Sequence, residues 1–125
     1  MNYLSDNLVN EAHQHVEVIN TDKACEMIKK GTSIIDVREP EEYSEGAIPG
    51  AINMPRSVLE FVVGEYLEEE DRNKPHIVYC KSGGRAALAA VTMKKMGYKN
   101  VHAMQQGFAH WENEGRMIEN NPSLF

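Results

Sequence analysis

The chain has 125 residues, 13 basic and 19 acidic side chains, and a formal net charge of −6. That length suits one domain with room for a layered core. The acidic balance argues against nucleic acid or an anionic membrane surface as partner. No run approaches the roughly 18 apolar residues of a transmembrane helix. The first fourteen residues are polar and acidic and lack the cationic start and apolar stretch of a secretory signal, which points to the cytoplasm. Two cysteines in such a protein make a poor case for a structural disulfide.

In chain order, residues 1–15 carry weak apolar periodicity at Leu4, Leu8, Val9 and Ala12, and read as an N-terminal helix or arm. His13 and His15 lack a partner at metal-ligand spacing and read as solvated surface. Val16 to Ile19 reads as a strand. A helix capped by Asn20 or Thr21 follows, with Ala24, Cys25 and Ile28 on one face and Gly31 ending it. Cys25 has no glycine, cation or helix start beside it in sequence, so packing is its expected role. Ser33 to Val37 is a nearly continuous apolar strand, as in a sheet covered on both faces. Asp36 and Arg38 fall at its C-terminal end, the edge where open α/β sheets bind ligands. Asp36 reads as structural support within an ion-pair network; Arg38 reads equally as part of that network or as a ligand contact. Pro40 opens a short helix through Ser44.

Ala51 to Asn53 is a short strand. Leu59, Val62, Val63 and Tyr66 repeat at helical spacing within a helix expected over 57–69. The acids Glu68 to Asp71 oppose its dipole and predict a frayed, solvated end. Ile77 to Tyr79 is a buried strand. Cys80-Lys81-Ser82-Gly83-Gly84-Arg85 follows, and Ala86 to Met96 is helix-forming, with Gly97 as its C-cap. Val101 to Met104 is the last strand. A short helix from Gly107 to Glu114 carries Phe108 and Trp111 into the core, and 119–125 is a tail in which Pro122 argues against helix. The alternation of strand and helix predicts an α/β fold with a mainly parallel sheet.

The stretch around Cys80 carries the chemistry. A strand end, a glycine turn and a helix start place this sulfur where loop N–H groups and the helix dipole converge, a field that favours thiolate. A buried packing cysteine would need neither the Gly83-Gly84 pair nor the cations Lys81 and Arg85.

Cys80 to Arg85 resembles the six-residue active-site loop of the rhodanese (sulfurtransferase) family. Three further stretches agree: Ile34 to Glu39 with Glu42, Tyr43 and Gly46; Ile48-Pro49-Gly50-Ala51-Ile52-Asn53-Met54-Pro55; and Gln106-Gly107-Phe108-Ala109-His110-Trp111. The four stand in family order between about Val16 and Ile118. Departures fall at Ala47, where many members carry His, and at Gln106, where many carry Gly. The resemblance implies a rhodanese-like three-layer fold spanning 16–118, with five parallel strands and helices on both faces. It implies sulfur transfer from thiosulfate or a persulfide to a thiol or other nucleophile through a Cys80 persulfide. Lys81, Ser82, Gly83, Gly84, Arg85 and Arg38 are then the substrate-binding candidates. Arg85 has two open roles, holding substrate or holding the loop against neighbouring carboxylates. No metal or organic cofactor is implied. The expected partners are a small-molecule or protein sulfur donor and a thiol acceptor, with the protein a monomer or weak homodimer. Glu39, Glu41 and Glu42, where some thiosulfate-using relatives carry a basic residue, would disfavour a dianion. The rival readings are a non-catalytic or sensor module that binds a partner protein, and a phosphatase of the Cys-x5-Arg kind. Against the phosphatase stands the spacing here, four residues between Cys80 and Arg85.

Overall fold

The computed structural model describes residues 3–122. Its elements are α1 (Tyr3–His13), β1 (Glu17–Ile19), α2 (Thr21–Lys29), β2 (Ser33–Asp36), α3 (Pro40–Glu45), β3 (Ile52–Asn53), α4 (Leu59–Tyr66), a 3-10 turn (Glu69–Asn73), β4 (Pro75–Tyr79), α5 (Gly84–Lys95), β5 (Asn100–Met104) and α6 (Gly107–Asn113). The five strands form one parallel sheet in the order β1-β5-β4-β2-β3. This is the expected fold class.

Side chains alternate across the sheet because successive residues of a strand face opposite ways. Ile35, Val37, Val78, Cys80, Val101 and Ala103 share one core with Leu59 and Val63 of α4 and Ala86, Ala89, Ala90 and Met93 of α5. Ile34, Ile77, Tyr79 and Met104 share the other with Ala24 and Met27 of α2, Tyr43 of α3, and Phe108 and Trp111 of α6. The register pairs Ile34 with Ile77 and Asp36 with Tyr79 on neighbouring strands. Both faces are thus sealed, and burial of each large apolar side chain contributes roughly 1.5–3 kcal/mol. The alanines of α5 give it a smooth inner face that lies close on the sheet. α1 packs on the outside of α5, and the Lys94 ammonium donates to the His15 carbonyl at 2.9 Å.

Local chemistry sets the ends. The Asn20 side chain accepts the Lys23 N–H at 2.8 Å and caps α2. At α3, Glu39 and Glu42 form a reciprocal capping box ahead of Pro40. The region after residue 57 differs from the expected helix over 57–69. α4 stops at Tyr66, because Leu67 turns extended and buries its side chain. The acids that follow do not end α4. Glu68 and Asp71 form a capping box that opens the separate 3-10 turn, so their charge sits at the favourable end of a helix dipole. On α4 the apolar stripe is incomplete: Leu59 and Val63 are buried, while Tyr66 is exposed and Phe61 is 81% exposed.

At the N-terminal edge of the sheet, His76 ties the 3-10 turn to β2. Its Nε2–H donates to the Asp71 carbonyl at 2.7 Å, and its Nδ1 pairs with the Ser33 hydroxyl. The end of the chain is fastened too. Glu119 exchanges backbone hydrogen bonds with Ala47, at 2.9 and 2.8 Å. Ala47 is buried in this bridge, which is what the chain builds at the first departure from the family pattern. Of the expected 119–125 tail, residues 123–125 lie outside the described residues. Among the described residues no helix is long and apolar enough to cross a membrane.

Candidate functional site

Cys80 lies just past the C-terminal end of β4, at the edge where α/β sheets place ligands. Its side chain is 1% exposed, and its Sγ receives the N–H of Gly83 at 3.0 Å and of Ala86 at 3.3 Å. Both donors belong to the first turn of α5 and its cap, so the sulfur also lies at the positive end of that helix. Lys81 and Ser82 form the exposed rim of the loop.

Two glycines hold this loop in place, for different reasons. Gly83 has φ +109°, and a Cβ there would fall 2.2 Å from the Gln105 carbonyl oxygen. Gly107, with φ +67°, admits the loop itself: a Cβ would fall 2.3 Å from the Lys81 oxygen and 2.7 Å from the Cys80 oxygen. The close approach lets Phe108 N–H donate to Cys80 O at 2.8 Å and Ala109 N–H donate to Lys81 O at 3.1 Å. The start of α6 therefore carries the underside of the cysteine loop. Gln106, the second departure from the family pattern, is exposed and has right-handed backbone (φ −95°), so no glycine is required there.

Arg85 reaches toward α3. Its Nη1 and Nη2 donate to the two Glu42 oxygens at 2.7 and 3.1 Å, a bidentate pair that fastens the loop. Hydrogen bonds from Arg85, opposed by partial burial and helped by the Glu39 N–H, hold the Glu42 carboxyl down at about 2. The Arg85 pKa is raised by the same pair. Of the two open roles for Arg85, the described geometry is that of a loop anchor. Glu42 is also no longer a free acid at the mouth.

Arg38 and Asp36 form a buried unit beneath α3. Arg38 is 4% exposed. Its Nε donates to both Asp36 oxygens at 3.1 Å, and its Nη2 donates to Asp36 Oδ2 at 2.7 Å and to the Gly46 carbonyl at 2.6 Å. The Tyr79 hydroxyl donates to Asp36 Oδ2 at 2.7 Å and accepts the Ile48 N–H at 3.1 Å. Burial acts to lower the Arg38 pKa, but hydrogen bonds and charge from Asp36 outweigh it and the value is raised. Burial, then Asp36, pushes the Tyr79 hydroxyl far above its usual range. The guanidinium carbon sits 4.3 Å from the Phe108 ring centroid, a cation–π contact. Arg38 Nε and Nη2 are thus engaged inside the protein, with Asp36 and the Gly46 carbonyl, while the residue also lines the cleft beside the loop.

A cleft of about 270 Å³ opens beside the loop, walled by Arg38, Glu42, Glu45, Lys81, Phe108 and Glu112. It reaches the loop through Lys81 and Glu42 rather than the sulfur, which lies under the loop. Cys25, the other thiol, is half-buried at the opposite face and is not alone as expected: Arg116 Nη1 donates to its Sγ at 3.0 Å. Sequence reasoning missed the Glu42 partner of Arg85, the loop contact of Gly107, and Tyr79. Only Gly107 left a signal, as the one glycine in the ending segment.

The thiosulfate sulfurtransferase GlpE of Coxiella burnetii is 33% identical over 91 residues, covering 72% of this chain and 81% of its own. A rhodanese-related protein of Thermoplasma volcanium is 33% identical, with TM-score 0.71 over 82% of this chain and 97% of its own. RPA3614 of Rhodopseudomonas palustris, a protein of unknown function described as a possible tyrosine phosphatase, is 32% identical with TM-score 0.80 over 92% and 93%. Residues 20–114 match the rhodanese-like domain, and with that match across most of its length the chain belongs to the rhodanese-like domain family.

Proposed function

We propose that the protein is a sulfurtransferase that carries sulfane sulfur on Cys80 between a donor and a thiol acceptor. The observation that carries this reading is the pair of N–H groups, from Gly83 and Ala86, aimed at the Cys80 sulfur. Likeness to the Coxiella thiosulfate sulfurtransferase supports it.

In the first half-reaction a Cys80 thiolate lone pair attacks the outer sulfur of the donor. A bond forms between the two sulfurs, the donor's own bond to that sulfur breaks, and its electron pair leaves as sulfite from thiosulfate or as thiolate from a persulfide. In the second, an acceptor thiolate attacks the outer sulfur of the Cys80 persulfide, and the electron pair returns to Cys80. Charge is conserved in each displacement, and no proton has to move. One transfer becomes two displacements at sulfur, as in other covalent catalysis. Negative charge stays at sulfur throughout, where fixed N–H donors hold it without reorganising.

In this reading Lys81 receives the anionic end of the donor. Ser82, Gly83 and Gly84 supply the turn, while Arg85, Asp36 and Arg38 position the loop and its surroundings. The resemblance to RPA3614 raises the phosphatase alternative. A Cys-dependent phosphatase uses its arginine to bind the phosphoryl oxygens, and here Arg85 is paired with Glu42.

The test is intact mass after exposure to thiosulfate or a small persulfide, with aryl phosphate hydrolysis assayed beside it. Wild type should gain one sulfur and Cys80→Ser none, with no phosphate released. Absence of added sulfur from every donor, or efficient phosphate hydrolysis, overturns the reading.

A further inference from the structure

The charges around the 270 Å³ cleft are not equivalent. Arg38 is neutralised by Asp36, and Glu42 by Arg85. Three wall charges remain: Lys81, Glu45 and Glu112. Among the described residues none of the three has an ion-pair partner. Their placement follows from the elements that carry them. Glu45 stands three residues after Glu42 on α3, so both lie on the face turned to the loop. Glu112 stands three residues after Ala109 on α6, whose N–H holds Lys81 O. Two unpaired carboxylates thus border a space whose loop-side wall is one ammonium.

Thiosulfate suits this arrangement poorly, since a dianion would meet one cation and two anions. A molecule carrying an ammonium and a carboxylate matches it, with the carboxylate on Lys81 and the ammonium between Glu45 and Glu112. The size agrees, because 270 Å³ is below the ~300–1,000 Å³ of pockets for drug-sized ligands. Resting on Cys80 as the sulfur carrier, we infer that the cleft selects persulfides bearing an α-amino-carboxylate group, and that Glu45 and Glu112 determine this specificity. The chemical step is the displacement already written, with the amino-acid thiolate as leaving group.

Both cysteine persulfide and the γ-glutamyl end of glutathione persulfide carry that group. The experiment therefore compares four donors: these two, the persulfide of 3-mercaptopropionate (a carboxylate without ammonium), and thiosulfate. The rate of single-sulfur addition to Cys80 is read by intact mass in wild type, Glu45→Gln, Glu112→Gln and the double variant. In wild type, kcat/KM for one of the ammonium-bearing donors should exceed that for mercaptopropionate persulfide on the order of tenfold, and the faster of the two names the source. Each glutamine should reduce that preference by up to about fivefold, the upper end for an exposed ion pair, and should raise loading from thiosulfate. Equal wild-type rates with and without the ammonium overturn the selection while leaving sulfur transfer standing. An undiminished preference in the double variant overturns the assignment to Glu45 and Glu112. Failure of all four donors to load Cys80 overturns both this inference and the sulfurtransferase reading.

Discussion

Gly107→Ala tests whether the start of α6 shapes the cysteine loop. At φ +67° an L-residue in the left-handed region costs about 1–2 kcal/mol. The larger effect is contact. The new Cβ would lie 2.3 Å from Lys81 O, 2.5 Å from Lys81 C and 2.7 Å from Cys80 O. These are backbone atoms with no rotamer to yield, and the gap falls short of ordinary van der Waals separation by about 1 Å. Loop and helix must part, which strains the hydrogen bonds from Phe108 and Ala109, each contributing roughly 0.5–1.5 kcal/mol. The expected loss is about 2–5 kcal/mol of stability. A displacement of about 1 Å at the reacting group also costs on the order of 100-fold in rate. Gly115→Ala is the control, since φ is +74° but nothing lies within 4 Å of the added Cβ. It should cost about 1–2 kcal/mol and leave sulfur transfer unchanged. The assays are urea denaturation and the rate of Cys80 sulfur loading on the folded fraction. Wild-type loading by Gly107→Ala, or an equal rate loss in Gly115→Ala, would refute the reasoning.

Three further outcomes follow from the charged groups. Glu42→Gln should loosen the loop anchor by about 1 kcal/mol, discounted for the exposure of Arg85. Because the folded pKa of Glu42 is depressed, from 4.5 to about 2, the stability it adds is present above about 4.5 and lost as pH falls toward about 2. Urea midpoints of wild type and variant should therefore differ at neutral pH and converge in acid, and a constant difference would contradict the assignment. Asp36→Asn leaves the buried Arg38 cation without its counter-charge and should cost about 3–5 kcal/mol in urea denaturation; a loss below about 1 kcal/mol would mean the unit is not held by charge. Lys81→Ala should raise KM for thiosulfate more than for a neutral donor. The difference should shrink between ~0.01 M salt, with a Debye length of ~30 Å, and ~1 M, with ~3 Å. Equal effects on both donors at every salt concentration would assign Lys81 a role in loop shape instead.

The cysteine loop was legible because its determinants are contiguous. A strand end, a glycine turn and a helix start within a few residues dictate where the N–H groups point, and that geometry is local. Layering was legible for the same reason, since strand alternation and the alanines of α5 record which side faces the core. What stayed hidden lies across the fold. Arg85 and Glu42 are 43 positions apart, and Arg116 and Cys25 are 91 apart. No spacing rule connects such partners, so the role of Arg85 stayed open and Cys25 looked isolated. Arg38 shows a subtler limit. A cation two residues after an acid at a sheet edge fits a ligand contact and an internal pair equally. Only the fold shows the internal partners, here the Gly46 carbonyl and the Phe108 ring. The acids at 68–71 misled because their meaning depends on which helix end they adjoin. That was settled by Leu67, whose burial stops α4 one residue earlier.

The choice between sulfur and phosphate chemistry rests on where the positive groups point. A phosphoryl group in transfer spreads charge over three equatorial oxygens, and a site that stabilises it needs donors arranged around all three. Here the donors described converge on a single atom, the Cys80 sulfur, from Gly83 and Ala86. The guanidinium of the loop, Arg85, is instead paired through both Nη atoms with Glu42. Freeing it would mean breaking a partly buried bidentate pair and also loosening the loop from α3. An anion that needed Arg85 would thus weaken the cradle it binds to. A persulfide makes no such demand: its charge stays on sulfur, close to N–H groups already in place, and the chain's own anchor is left intact. The same logic assigns work to the rest of the cleft. With Arg38 and Arg85 both neutralised, the nearby charges left to read a donor are Lys81, Glu45 and Glu112. On the proposed reading, specificity is then shared between Lys81, within the six-residue loop, and Glu45 and Glu112, outside it.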